Sequence, residues 1–130
     1  MNEAEQKMNN KEIIKEWIAT FGKDVSPHII RGHVTAPHNF LWHLFTWGKA
    51  PCLQGDDARK AFDSLRYEEA LHFYDGFSNC IEGVSYVGKL TAKEIDEDEN
   101  DDVYVVAKDF SWTYVRTHED RCGPFFCKKK

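Results

Sequence analysis

The 130-residue chain predicts a single α+β domain, mainly an antiparallel sheet including a 103–118 hairpin, packed against two or three helices. Three observations carry that expectation. The stretch Val103 to His118, V-Y-V-V-A-K-D-F-S-W-T-Y-V-R-T-H, reads as two strands rich in β-branched and aromatic residues, folded back at Lys108 to Ser111. Apolar and polar side chains alternate from Trp112 to His118, the period of two that belongs to a strand with one face buried. Nearer the N-terminus, Ile13, Ile14, Trp17, Ile18 and Phe21 recur at helical spacing, the apolar stripe of a helix lying on a sheet. With 42% hydrophobic and 14% aromatic content, a chain of this length is expected to bury one core, with no linker dividing it.

The first eight residues are polar and expected to fray, with no apolar leader segment behind a basic start. Asn9 followed by Glu12 forms a capping-box pattern that opens the first helix, and Gly22 is a suitable stop. Ser26-Pro27 suits the start of one short helical turn, while Gly32 and Pro37 punctuate an otherwise irregular 23–39. The run Phe40 to Trp47 is apolar on both faces and predicts an interior strand covered on each side. After loop chemistry from Gly48 to Gly55, Asp56 is placed to cap a second helix whose Ala58, Ala61, Phe62 and Leu65 share a face. Tyr67, Ala70, Leu71 and Tyr74 also fit a helical face. Asp75-Gly76, between L-H-F-Y and F-S-N-C-I, instead favours a hairpin with a tight primed turn. Thr91 with Glu94 repeats the capping-box pattern and starts a short helix that runs into the acidic stretch 94–102. Gly123-Pro124 bends the chain before Phe125-Phe126, and 128–130 is expected to be a frayed, solvated tail.

Charge is unevenly spread. The run from Glu94 to Asp102 holds Glu94, Asp96, Glu97, Asp98, Glu99, Asp101 and Asp102 with no basic residue, which exceeds the whole net charge of −5. The rest of the chain is therefore mildly positive, and the acidity is a local loop. Nucleic acid is not the expected partner, because phosphate binding needs a basic face and the only basic cluster is Lys128-Lys129-Lys130. No apolar run approaches the length of a membrane span, so the cytoplasm is the expected location and no membrane partner is expected. Cys52, Cys80, Cys122 and Cys127 are scattered, which fits reduced thiols; a Cys122–Cys127 disulfide would require export.

No nucleophile elbow, phosphate loop, dinucleotide fingerprint or zinc-protease helix motif is present, so catalysis and cofactors are not expected. His28, His33, His38 and His43 stand five apart, which matches neither one helix face nor one strand face. His43, among apolar neighbours, reads as a hydrogen-bonded core imidazole. The most chemically varied cluster is His118, Glu119, Cys122 and Cys127, whose types suit a zinc-like ion. A structural zinc site brings two close ligand pairs, however, and this corner offers one loose pair, so no metal is expected. Asp96-x-Asp98-x-Asn100 imitates the first half of a calcium loop. It then fails, because Asp101 stands where the turn needs glycine and Ala107 where a bidentate glutamate belongs. The run is left as a solvated loop able to steer a basic partner.

Several strings carry a resemblance: Trp42-His43-Leu44-Phe45, Pro51-Cys52-Leu53-x-Gly55-x-x-Ala58-Arg59-Lys60-Ala61-Phe62-Asp63, Asp102-Val103-Tyr104-Val105-Val106, Asp109-Phe110-x-Trp112-Thr113-Tyr114-Val115-x-Thr117-His118-Glu119 and Cys122-Gly123-Pro124-Phe125-Phe126. Together they resemble a family of small proteins from bacilli, the domain of unknown function numbered 4275. The resemblance implies a bacterial cytoplasmic α+β domain and no assigned activity. The residues themselves favour packing for Trp42 and Trp112, and a binding surface drawn from Asp109, Arg116, His118, Glu119 and His43 beside the acidic loop. The expected role is a non-catalytic protein-binding domain that neutralises or regulates a basic partner. The alternative is a small metal-binding protein or enzyme using the His118, Glu119, Cys122, Cys127 corner.

Overall fold

The computed structural model describes residues 9–36, 40–48, 50–76, 80–119 and 123–129. Its elements are α1 (Asn10–Phe21), α2 (Pro27–His33), a 3₁₀ helix (Leu41–Gly48), β1 (Leu53–Gln54), α3 (Gly55–Asp63), β2 (Glu69–Asp75), β3 (Ile81–Gly88), α4 (Ala92–Asp96), β4 (Val103–Val106), β5 (Trp112–Arg116) and β6 (Phe125–Lys128). The six strands form one sheet in the order β1-β6-β5-β4-β2-β3, antiparallel throughout. The expected α+β class and its central hairpin are both present. Val103 pairs with Arg116 and Val106 with Thr113, and the fold-back runs through Ala107 to Ser111. Phe110 there adopts a left-handed φ of 58°, held by a bond from its N–H to the Ala107 carbonyl and by burial of its ring.

Both faces of this sheet are covered, where the period-two pattern had suggested one. Tyr104, Val106, Val115 and Phe125 point into a core made with Ile13, Trp17 and Phe21 of α1 and with Leu41, Trp42, Leu44 and Phe45 of the 3₁₀ helix. Val103, Val105, Trp112, Tyr114 and Phe126 point into a second core with Ala58 and Phe62 of α3 and Ala92 and Ile95 of α4. The polar residues that produced the alternation are satisfied inside. Thr113 is fully buried, accepting from Trp17 Nε1 at 3.1 Å and donating to the Val105 carbonyl at 3.0 Å. Trp42 and Trp112 pack as expected.

The capping boxes at Asn9/Glu12 and Thr91/Glu94 form as read, with α2 capped by Ser26. Four expectations need correction. The run from Phe40 to Trp47 is not an interior strand: Leu41–Gly48 is the 3₁₀ helix, and an apolar run covered all round has no period to separate the two. Its first N–H groups are met from the sheet. Asp75 at the end of β2 accepts from Leu41 N, and the Tyr104 hydroxyl of β4 accepts from Trp42 N at 3.0 Å while bonding to Asp75. Asp56 does not cap α3; Gln54 holds that position without a side-chain bond, and Asp56 lies in the first turn, paired to Arg59 at 2.9 Å. Asp75-Gly76 is not a two-residue turn, because Asp75 pairs with Ile81 and Gly76 N bonds the Cys80 carbonyl. Phe77, Ser78 and Asn79 of that loop lie outside the described residues. The expected frayed tail is ordered at its start, since Lys128 pairs with Trp112 and Lys129 N bonds the Ser111 carbonyl at 2.9 Å.

Removing the Tyr104 hydroxyl strands the buried Trp42 N–H and loosens the hold on Asp75. Tyr104→Phe is expected to lower stability in urea unfolding by about 1–3 kcal/mol, and an unchanged midpoint and slope would show that the 3₁₀ helix does not depend on this contact.

Candidate functional site

Antiparallel pairing of β4 and β5 brings Asp102, which precedes one strand, beside His118, which follows the other. Asp102 is 4% exposed, so the last member of the acidic run is interior and not part of a solvated loop. Its Oδ1 accepts from His118 N at 2.9 Å and lies 2.9 Å from His118 Nδ1, which fixes both backbone and ring. Nε2 is 3.6 Å from Glu119 Oε2. The His118 side chain is 31% exposed, its ring edge-on to Phe40 at 5.0 Å and to Trp42 at 5.8 Å. His43 lies against Trp42 with ring centres 4.2 Å apart, so it joins this aromatic corner from the 3₁₀ helix and not from a paired strand.

Arg116 organises the acidic run. Its Nε donates to the Ile95 carbonyl at 3.3 Å, Nη1 to Asp101 O at 3.0 Å, and Nη2 to Asp98 O at 3.0 Å and Asn100 O at 2.8 Å. A guanidinium therefore stands at the centre of the loop that resembled a calcium site, held by main-chain oxygens. Asp96 pairs with Arg59 at 3.0 Å, and Asp98 accepts from Asn100 N at 2.8 Å and Tyr74 hydroxyl at 3.3 Å. Glu94 closes the α4 capping box. Glu97, Glu99 and Asp101 remain exposed, with no ion pair among the described residues. An open cleft of about 480 Å³ lies between this loop and Thr117, His118, Glu119 and Pro124.

The polar groups behind the cleft are electrostatically coupled. Burial pushes the Asp75 carboxyl up to about 7; the charge of Asp102 adds to this, and bonds from Tyr104 and Leu41 oppose it. Burial pulls the His118 imidazole down, but the bond and charge of Asp102, with Glu119 and Asp101, outweigh it and hold its pKa above the ordinary value.

The other sequence candidates lie elsewhere. Asp109 sits in the β4–β5 turn, accepting from Ser111 N, at the opposite end of β5 from His118. Cys127 pairs with Thr113 and is buried near the Pro51 carbonyl, also far along the strand from His118. Continuing the β1–β6 register places Cys127 opposite Cys52, whose thiol burial and the neighbouring Cys127 push up to about 12. Cys122 lies outside the described residues, as does His38. Among the described residues no three His, Cys, Asp or Glu side chains are arranged to hold a metal ion. Sequence reasoning missed Asp75 and Tyr104, which carry no local signal beyond a turn residue and a strand tyrosine.

Both coupled groups hold their protons more tightly in the native state than their ordinary values imply. Unfolding therefore releases protons from Asp75 between its ordinary 3.8 and about 7, and from His118 up to its raised value. Stability is expected to fall as pH rises through neutrality, with a shallower fall in Asp75→Asn, measured by urea unfolding across about pH 5–8; equal slopes would refute the coupling. Arg116→Gln is expected to speed amide exchange at residues 97–101 by about tenfold or more, the factor that 1.4 kcal/mol of local opening represents.

No curated protein and no solved structure matches this chain. Over residues 4–126 it matches the model of the family described as Domain of unknown function (DUF4275), and the chain belongs to that family.

Proposed function

We propose that this chain is a non-catalytic, protein-binding domain of the bacterial cytoplasm whose acidic cleft docks a basic protein surface and so neutralises or regulates it. One observation carries the reading: the cations at the cleft are already satisfied from within. Arg116 is taken up by four main-chain carbonyls and Arg59 by Asp56 and Asp96, which leaves Glu97, Glu99 and Asp101 exposed on a loop held rigid from behind. A preorganised set of carboxylates favours a cationic partner by steering its approach and reduces the ordering cost of docking. The same carboxylates repel phosphate, which argues against nucleic acid. No helix among the described residues is long and apolar enough to cross a membrane, which is compatible with this setting.

The Asp102–His118 pair supports a second reading, an enzyme that transfers protons at the same cleft, because a buried carboxylate engages Nδ1 of an imidazole that lines the opening, with Nε2 3.6 Å from Glu119 Oε2. That reading requires a substrate whose turnover is lost in His118→Gln.

Capture from lysate of the parent cell, using the wild-type chain beside a Glu97→Gln, Glu99→Gln, Asp101→Asn variant, separates the two. A basic protein retained by wild type, released by salt and lost in the variant is the expected result. A partner held equally well by the variant, or held equally well at high salt, would overturn the docking surface.

A further inference from the structure

Two cysteines meet at the short edge of the sheet. β1 and β6 pair Leu53 with Phe126 and Gln54 with Phe125, and the same register sets Cys52 opposite Cys127. Antiparallel partners alternate between hydrogen-bonded and non-bonded pairs. Gly55 N bonds the Pro124 carbonyl at 2.9 Å, so Gly55 and Pro124 are a bonded pair and, three positions on, Cys52 and Cys127 are a non-bonded one. The far side of β6 agrees. Lys129 N bonds the Ser111 carbonyl at 2.9 Å, which makes Thr113 and Cys127 a bonded pair and turns the main-chain groups of Cys127 towards β5, away from Cys52. In a non-bonded pair the Cα atoms stand about 4.5 Å apart, within the roughly 4.4–6.8 Å that a disulfide spans. Both side chains lie on one face, because Cys127 is buried in the α1-side core and half-buried Cys52 packs against that same core. Cys127 Sγ is 3.7 Å from the carbonyl of Pro51, the residue before Cys52. Both are thiols in this structure.

We propose that Cys52 and Cys127 form a redox-sensitive cross-strand staple, which closes to a disulfide under oxidising conditions and reopens when reduced. The oxidant is a small-molecule disulfide. Cys52, the more exposed of the two, attacks one of its sulfurs as thiolate, forming a mixed disulfide and expelling the first small thiolate. Cys127, as thiolate, then attacks the Cys52 sulfur and expels the second. The protein gives up two electrons and two protons, and the oxidant leaves as two thiols. The place of the pair gives the staple its effect. β1 is two residues long and passes directly into α3, which carries Arg59 to the cleft, so closure ties the start of α3 to β6 where the ladder is shortest. Burial, with the neighbouring Cys127, pushes the Cys52 thiol up to about 12, so thiolate is scarce at neutral pH and exchange in the folded chain is slow. The pair therefore answers the redox conditions of folding, or a sustained change in them, and not a brief pulse.

Refolding the full chain from urea in mixtures of reduced and oxidised glutathione tests this without the slow step that burial imposes. Free thiols are then alkylated and the peptides mapped without reductant. The expected product links Cys52 to Cys127, returns to the dithiol in dithiothreitol, and melts roughly 5 °C or more above the reduced chain. A chain carrying Cys80→Ser and Cys122→Ser is expected to close the same link. Cys52→Ser, at a half-buried position, is expected to fold with the melting curve of the reduced wild type and to gain nothing on oxidation. A link from Cys127 to Cys122 in place of Cys52 would overturn the proposal. So would thiols left free or capped by glutathione at both positions, or a linked chain that melts no higher than the reduced one.

Discussion

The structure depends on a cap supplied at long range. The 3₁₀ helix carries Leu41, Trp42, Leu44 and Phe45 into the core on one face of the sheet, yet its first N–H groups have no partner within the helix. Asp75 and Tyr104, from two adjacent strands, meet those groups where burial would otherwise leave them costly. Phe45 then packs edge-on to Trp17 at 5.4 Å and against Phe125 at 5.6 Å, so helix, sheet and α1 are tied together through this run. The carboxylate that anchors it also feels the charge of Asp102, which fixes His118. A single polar seam thus links the burial of the helix to the shape of the cleft.

The acidic run is a set of separate roles. Glu94 caps α4, Asp96 holds Arg59, Asp98 ties its own turn and Asp102 is interior to the His118 corner. Glu97, Glu99 and Asp101 are exposed and take no such role among the described residues. Arg116 is drawn into the loop by main-chain oxygens, which costs none of the carboxylates and stiffens the segment that bears them. The resemblance to a calcium loop has a physical basis, since carbonyls do converge there, but the cation at their centre is part of the chain.

What was legible beforehand was local. The capping boxes at Asn9 and Thr91 and the hairpin of β4 and β5 each rest on residues a few positions apart, whose preferences hold in any surroundings. Alternation in β5 misled about burial because Thr113 and Thr117 are polar residues with hydrogen-bond partners inside the protein, and a period of two cannot tell a satisfied hydroxyl from an exposed one. Of the residues that line the cleft, Arg116, His118 and Glu119 were singled out from their place at a strand end. Asp109 and Cys127 were grouped with them in sequence, but the extended strand sets them at its far end.

By itself the sequence determined the α+β class, the starts of α1, α2 and α4, the central strand pair and the local concentration of negative charge, because each follows from side-chain type and spacing over a few residues. Only the tertiary structure decided that Leu41–Gly48 is helical, that Asp102 is buried and that Arg116 gathers the acidic loop. The reason is the same in each instance. A backbone N–H, a carboxylate and a guanidinium take the conformation in which their partners are found, and here those partners lie 15 to 62 positions away along the chain.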